Sequence, residues 1–467
     1  MTDFFCYALL LWKKGCVHVE LIQLFMLGKR LLRTEIPFPK HELQPLIENQ
    51  TLMLETGLIN KNGKILCRRC GNKDKSLLGS HPCAKCQSSK CMYCRHCLTL
   101  GKISSCQMLY RWTGPQLPFP KVEAALTWEG ELSSGQRHAS KQVRQAVINQ
   151  KSMLVWAVCG AGKTEVLFEG LAEAFLHGHR VLLATPRTDV VKELYPRLKK
   201  SFPLIKMSAL YGGSKDRAPD AQLVIATTHQ VMRFYRAFDV VIVDEVDAFP
   251  FSFDQSLQYA VEQAQKQLSA LIYLSATPDH TLLQSSDIET IKIPRRFHNH
   301  PLPVPRFQWT GNWFKKVTNN KWPNGLNKWL AENLAQNKPL LLFIPSINTL
   351  QLTSAFLHNE SFSHQTVHAE DPERHEKITQ FRNQQIPLLL TTTILERGVT
   401  FTNVQVAVLG SENDVFTEAA LVQISGRVGR HPDYPQGDIC FFHNGKTKAM
   451  MKAKQQIENM NKEAGFK

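Results

Sequence analysis

The stretch Ala157-Val-Cys-Gly-Ala-Gly-Lys-Thr164 constrains the fold most, because an apolar run leads into it and a helical pattern leads out of it. It reads as a phosphate-binding loop. Backbone N–H groups of such a loop and of the next helix N-terminus point at phosphate oxygens, and Gly160, Ala161 and Gly162 leave that approach clear. Lys163 reaches the β- and γ-phosphates, Thr164 ligates Mg²⁺, and Glu165 follows in the helix. Ala157 stands where the pattern has its first glycine. A chance glycine-rich turn is the competing reading, and the chain downstream has to decide.

Downstream, Val181–Ala184, Leu223–Ala226, Val240–Val243 and Leu271–Leu274 are short, apolar and bounded by turn residues. Such runs, alternating with helical patterns, predict buried parallel strands in a doubly wound α/β domain whose ligands bind at the carboxyl ends of the strands. Asp244-Glu-Val-Asp247 follows one of these strands directly. Asp244 at the terminus can hold Mg²⁺ through water, and Glu245 can orient the attacking water for in-line phosphoryl transfer. A lone acidic cluster is usually a solvated turn; after a buried strand and a phosphate loop it is not. Ser275-Ala-Thr277 also ends a strand.

The second half repeats the architecture without a second phosphate loop. After a basic, proline-rich connector come strand-like Leu340–Ile344, Leu388–Leu390 and Val404–Leu409, and then Gln423-Ile-Ser-Gly-Arg427-Val-Gly-Arg430. Arginines on an opposing domain can stabilise charge on a γ-phosphate and make hydrolysis depend on closure. Taken alone, Arg427 and Arg430 would be a basic pair on a surface helix.

The beginning of the chain differs in character. Residues 1–112 hold 17 Lys/Arg against 7 Asp/Glu, +10 of the chain's +16, which favours a polyanionic partner, nucleic acid first. Eight of the twelve cysteines lie between Cys67 and Cys106, paired as Cys67/Cys70, Cys83/Cys86, Cys91/Cys94 and Cys94/Cys97. Each C-x-x-C turn offers two sulfurs to one ion, and Zn²⁺ takes four in a tetrahedron. The seven cysteines up to Cys97 exceed one site and fall one short of two; Cys106, His81 or His96 could supply the eighth ligand. With no Glu beside them the expected role is structural, and Lys and Arg between the ligands, with Tyr93 and Tyr110 nearby, suit a single-strand-binding knuckle. A purely architectural staple is the alternative.

A 467-residue chain with mean hydropathy −0.23 makes several folded domains. The apolar run Phe4–Trp12 is too short to span a bilayer, and Lys13 and Lys14 fall on the wrong side of it for a signal peptide, so a cytoplasmic protein is expected. The segment before Met26 could be an upstream extension of the reading frame. The expected layout is a basic, cysteine-rich region over 1–112, a linker over 113–127, one α/β lobe over 128–293, a connector over 294–322 and a second lobe over 323–467.

Phosphate loop, Asp-Glu-x-Asp, Ser-Ala-Thr and Gln-x-x-Gly-Arg-x-Gly-Arg, in that order, resemble the superfamily 2 helicases and translocases with two RecA-like lobes. The resemblance implies that Gln136 reads adenine. It implies that Thr185-Pro186-Arg187, Tyr211-Gly212-Gly213 and Thr227-Thr228-His229 contact a DNA strand, together with Thr391 and Thr392. It further implies that Ser275, Thr277, Arg397, Gly398 and Gln423 couple strand to ATP. Within the superfamily, the cysteine-rich domain ahead of the motor, Cys94-Arg-His-Cys97-Leu, Arg296-Phe-His298 and His300-Pro-Leu-Pro303 resemble the ComFA family of late-competence ATPases. That resemblance implies an ATP-driven, Mg²⁺-dependent motor that pulls single-stranded DNA inward, peripheral at the inner face of the membrane. A membrane DNA channel and a phosphoribosyltransferase-like competence protein are the implied partners. Cys67, Cys70, Cys94 and Cys97 are the implied Zn²⁺ ligands, with Cys83, Cys86 and Cys91 as extras. A replication-restart helicase of the PriA type, which carries its cysteines inside the motor, and a non-hydrolysing zinc scaffold are the competing readings.

Overall fold

Residues 19–214 and 218–466 are described by the computed structural model; Phe4–Trp12, Lys13 and Lys14 lie outside them. In the N-terminal domain the strands run β1 (Arg30–Leu32), β2 (Leu52–Thr56), β3 (Leu58–Lys61), β4 (Lys64–Cys67), β5 (Leu78–His81), β6 (Cys91–Cys94), β7 (Ile103–Ser104) and β8 (Met108–Trp112). They form three small antiparallel sheets, ordered β1-β8-β2, β3-β4 and β5-β6-β7. The segment before Met26 contributes a helix, Val19–Met26, which buries Ile22 and Met26 in one apolar cluster with Leu52 of β2 and Trp112 of β8.

The next sheet contains β9 (Ser152–Ala157), β10 (Val181–Thr185), β11 (Met207–Leu210), β12 (Leu223–Thr227), β13 (Phe238–Val243), β14 (Gln265–Ser275) and β15 (Glu289–Ile293). Every pairing in it is parallel, in the order β11-β12-β10-β13-β14-β9-β15. Helices on both faces leave β10 and β12 buried along their whole length, which is why they read as unbroken apolar runs. Because all strands point one way, the phosphate loop after β9, Thr185, Thr227, Asp244 and Ser275 all emerge at one edge.

A second parallel sheet, ordered β16-β21-β20-β17-β19-β18, is built from β16 (Arg306–Trp309), β17 (Leu340–Phe343), β18 (Gln365–Val367), β19 (Leu388–Thr391), β20 (Gln405–Leu409) and β21 (Ile439–His443). One expectation about the layout needs correction. The stretch read as a connector over 294–322 supplies edge strand β16, paired with β21 from Arg306↔Cys440 to Trp309↔His443, and the helix Trp313–Thr318. Its prolines end at Pro305, so nothing keeps the following residues out of a sheet. The stretch read as a linker over 113–127 lies along the first lobe, with Ala125 buried and the Val122 and Thr127 N–H groups donating to Phe175 O and Ser201 O.

The two lobes face each other across a continuous apolar cluster, in which Val158 and Leu302 join Val422, Ile457 and Met460. The N-terminal domain is also docked. Arg30 N donates to Arg233 O and Tyr235 N to Gly28 O, the Arg30 guanidinium stacks on Tyr235 at 3.7 Å, and Glu35 pairs with both Arg69 (2.6 Å) and Arg233 (3.2 Å). Gly28 permits this contact: its φ is +64°, and a Cβ there would lie 2.5 Å from Ala237 Cβ. Part of the basic charge of this domain is therefore internal, since Arg30, Arg68 and Arg111 converge on Glu55.

Candidate active site and metal centres

Gly160 and Gly162 take φ of +81° and +70°, which lets the loop after β9 curl onto the start of the helix Lys163–Val166. Gln136 closes the loop from behind. Its Nε2 donates to Ala161 O at 2.9 Å, its Oε1 accepts from Ser133 N at 2.9 Å, and a Cβ on Gly162 would sit 2.4 Å from that Nε2. The residue expected to read adenine lines the cleft, but here its amide holds the loop backbone. On the other side the Cys159 thiol donates to Gln423 Oε1 at 3.1 Å, and Gly426 comes so close that a Cβ would fall 2.4 Å from Cys159 Cβ. The Gln423–Arg430 segment of the second lobe therefore rests on the phosphate loop of the first.

The carboxylates after β13 separate into distinct environments. Burial lifts the Asp244 carboxyl to about 6, with Lys163 pulling it down and Glu245 pushing it up. Glu245 sits at φ +54° with its N–H on Asp244 Oδ1, and its Oε2 is buried without a hydrogen-bond partner, 3.8 Å from Arg397 Nη1. Asp247 accepts from the Ser275 and Thr277 hydroxyls at 2.6 Å each and from Arg397. Burial pushes Asp247 up, but Arg397 and the two hydroxyls outweigh it and hold the carboxyl below its ordinary value. Ser275, Thr277 and Arg397 thus meet on one carboxylate.

A cavity of about 570 Å³ opens between the lobes. From the first lobe come Gln136, Gly160, Gly162, Lys163, Thr164, Glu165, Asp244 and Glu245, and from the second Arg397, Gly398, Gln423 and Arg430. Ala157 and Ala161 are buried beneath the loop. Phosphates and a hydrated Mg²⁺ fit this donor set. Lysine, hydroxyl and loop N–H groups face carboxylates across a space in which Glu165 Oε2 and Glu245 Oε2 are buried and unpartnered. The expected pair of arginines is split. Arg430 lines the cavity, whereas Arg427 is 1% exposed, donates to Val399 O, and is absent from the lining. The Arg427 position is internal because the helix just before it, Glu418–Ser425, packs its last turn entirely inward.

Asp244 carries a testable consequence. Its ordinary carboxyl value is about 3.9, so a folded value near 6 favours the protonated form. That contribution to stability is complete below the unfolded value and is lost as pH rises through 6. In magnesium-free buffer, Asp244→Asn is expected to melt above the parent protein at pH 7.5, with the gap closing as pH falls from 6 to 4. Equal melting temperatures at pH 7.5 contradict a buried, uncompensated carboxylate.

The residues expected on the DNA strand are placed less uniformly. Thr185, Thr228 and Thr391 are fully buried, and the Thr185 and Thr228 hydroxyls have no hydrogen-bond partner, so their side chains do not face the surface. Thr185 and Thr391 are the last residues of β10 and β19, and Thr227, also buried, ends β12; a β-branched residue there still belongs to the sheet. Arg187 crosses to the second lobe, donating to Ile394 O at 3.0 Å and Glu396 Oε1 at 3.1 Å. Pro186 and Thr392 are half-buried, and Gly212 and Gly213 are exposed with open space where a Cβ would stand.

The cysteines fall into two groups of four. In the first, Cys67 ends β4, Cys94 ends β6, and Cys70 and Cys97 sit in the turns that follow. In the second, Cys83, Cys86 and Cys91 are joined by Cys106, the one of the three expected candidates for an eighth ligand that the fold brings in. His81 instead contacts Pro82 O and Lys102, and His96 contacts Asp254. A tetrahedron with Zn–S bonds near 2.3 Å has sulfur–sulfur edges of about 3.8 Å. The observed edges match: 3.8 Å for Cys67–Cys97, 3.6 Å for Cys70–Cys94, 3.8 Å for Cys83–Cys106 and 3.7 Å for Cys91–Cys106. The first group is buried against Phe251, Leu257 and Val261 of the first lobe, while the second is partly exposed. Among the described residues no helix is long and apolar enough to cross a membrane.

Comparison with known proteins accords with this geometry. Residues 16–111 match the competence protein ComFA N-terminal domain, 135–285 the DEAD/DEAH box helicase domain and 325–432 the helicase conserved C-terminal domain. These domains imply an ATP-dependent enzyme acting on nucleic acid, with use of Mg²⁺. A solved structure of Mycobacterium smegmatis helicase Lhr bound to ssDNA and AMP-PNP superposes with TM-score 0.52 at 17% identity, over 71% of this chain and 50% of that one, which shows the two-lobe fold. The competence protein ComFA of Streptococcus pneumoniae (strain ATCC BAA-255 / R6) is 38% identical, covering 87% of this chain and 92% of that protein. Competence protein ComFA of Bacillus subtilis (strain 168) is 44% identical over 443 residues, 94% of this chain and 95% of that protein. With its cysteine-rich N-terminal domain and its two helicase lobes, this chain belongs to the ComFA family of competence proteins.

Proposed function

We propose that this chain is an ATP-driven translocase that draws single-stranded DNA into the cytoplasm during natural transformation. The observation that carries the reading is a hydrogen-bonded path from the nucleotide cleft to the opposite lobe. Ser275, Thr277 and Asp247 on one lobe meet Arg397 on the other, and Glu396 beside it is held by Arg187. Changes at the γ-phosphate alter lobe closure through this path.

Lys163 and the loop N–H groups hold the triphosphate, and Thr164 with Asp244 holds Mg²⁺, which neutralises charge on the phosphate oxygens. Glu245 orients the attacking water with its unpartnered Oε2, and Arg430 faces the γ-phosphate from the second lobe. Arg427, bound to Val399 O, anchors the segment that carries Arg430. The loops at the strand ends grip the DNA backbone mainly through N–H groups, so affinity falls with salt and depends little on sequence. Both cysteine groups hold structural Zn²⁺. The N-terminal domain, docked on the first lobe, adds a basic surface for the strand and for a membrane DNA channel or a phosphoribosyltransferase-like competence protein at the inner face of the membrane.

The test is ATP turnover without DNA, with single strands and with forked duplex, alongside a strand-separation readout. Stimulation by single strands without strand separation supports the translocase. Robust separation of the fork favours a restart helicase, and no turnover under any condition favours a scaffold.

A further inference from the structure

The loop that leaves the carboxylates, Ala248–Asp254, carries an apolar feature that neither catalysis nor folding accounts for. Phe249 and Phe253 are 73% and 77% exposed, and Phe251 between them is buried. The two exposed rings lie side by side, centroids 6.4 Å apart and tilted by 47°. Rigid supports hold them there. Asp254 N–H and Phe253 N–H donate to Pro250 O, Gln258 Nε2 donates to Phe251 O, and Phe251 packs into the same apolar cluster as Cys67, Cys94 and Cys97. The loop begins at Asp247, fixed by Ser275, Thr277 and Arg397, and ends at Asp254, 3.1 Å from His96 of the N-terminal domain.

The occupant follows from what surrounds the pair. The loop follows β13 at the same sheet edge as the ends of β10 and β12, and the helix Thr228–Val231 that follows β12 packs against the helix Gln255–Ala264 that follows the loop. Two exposed aromatic rings between a basic domain and the loops proposed to grip the backbone suit unpaired bases, whose π-faces stack on aromatic rings irrespective of sequence. A protein partner would need a broader apolar surface than two rings.

We propose that Phe249 and Phe253 are a base-stacking platform for the single strand, and that strand occupancy there is transmitted through Ala248 to Asp247 and the cleft. This deepens the translocase reading and rests on it. The rings act through the bases, so they distinguish a strand with bases from a bare sugar-phosphate chain, which phosphate-gripping loops do not.

The test compares binding and ATPase stimulation by a thymidine oligonucleotide and by an abasic oligonucleotide of equal length. It uses the full chain, the Phe249→Ala/Phe253→Ala double variant and the Phe249→Trp/Phe253→Trp double variant, each checked for parental zinc content and melting temperature. The parent is expected to bind the thymidine strand at least about tenfold more tightly than the abasic one. The alanine variant is expected to lose that preference while keeping its abasic affinity, and the tryptophan variant to restore it with quenching of indole fluorescence by the strand. An alanine variant with the parental preference overturns the platform and leaves the translocase standing, with the rings then facing a protein. A parent that neither binds nor responds to single strands overturns both.

Discussion

Lys163→Ala is expected to lower ATP turnover by about 10²- to 10³-fold while leaving single-strand affinity within about twofold. Lys163 lines the cleft at the end of the phosphate loop, and its charge also lowers the Asp244 carboxyl. Removing it deprives the transferring phosphoryl group of a fixed positive charge and leaves Asp244 and Glu245 facing the nucleotide with less compensation. The loop itself should survive, because its shape depends on Gly160, Gly162 and the Gln136 amide. Steady-state phosphate release together with fluorescence anisotropy of a labelled strand checks both halves. Parental turnover in the variant contradicts the placement of the nucleotide.

Metal analysis of the native chain is expected to return two zinc ions, and losses from the two sites are expected to differ in consequence. Cys97→Ser removes a ligand that is buried among residues of both the N-terminal domain and the first lobe. Zinc binding supplies roughly 10–16 kcal/mol of folding free energy in small zinc domains, comparable with the roughly 5–15 kcal/mol that holds a whole domain. The N-terminal domain should then unfold and become open to protease. Cys86→Ser, at the exposed group, should also lower zinc from two ions to one, but leave the docked domain protected. Zinc quantification and limited proteolysis read these outcomes; a single ion in the native chain, unaltered by Cys86→Ser, contradicts the second site.

The two cases also show which features are legible in a sequence. Cys67/Cys70 and Cys94/Cys97 announce themselves because both ligands of a turn are local. Cys106 has no C-x-x-C partner, so only the hairpins of β5, β6 and β7 reveal that it closes the group of Cys83, Cys86 and Cys91. Strands β10, β12 and β13 are readable from their apolar runs, since burial on both faces leaves no polar position. Edge strand β16 is not, because its Arg306 and Trp309 are exposed and it follows a proline-rich stretch.

The same limit applies at the cleft. Lys163, Asp244, Glu245 and Arg430 can be located by motif, and the structure gathers them around one cavity. Motif order does not say which competing partner a side chain takes: Gln136 holds Ala161 O, Arg187 reaches Glu396, and Arg427 turns to Val399 O. Each of those contacts joins residues more than twenty positions apart. The aromatic pair Phe249 and Phe253 has a local signal, alternate phenylalanines after Asp247, but only the fold shows that Phe251 turns inward and the other two outward.

Directional movement along a single strand is the central claim, and the time for ATP-driven arrival at a strand end tests it most directly. Oligonucleotides of increasing length carry a fluorophore at one end, and the signal is followed in stopped flow after mixing the bound protein with ATP and a trap for free protein. The expected result is a lag that lengthens in proportion to strand length when the label is at one end only, and that vanishes in Lys163→Ala. A signal that requires ATP but shows no dependence on length or on the labelled end would contradict translocation.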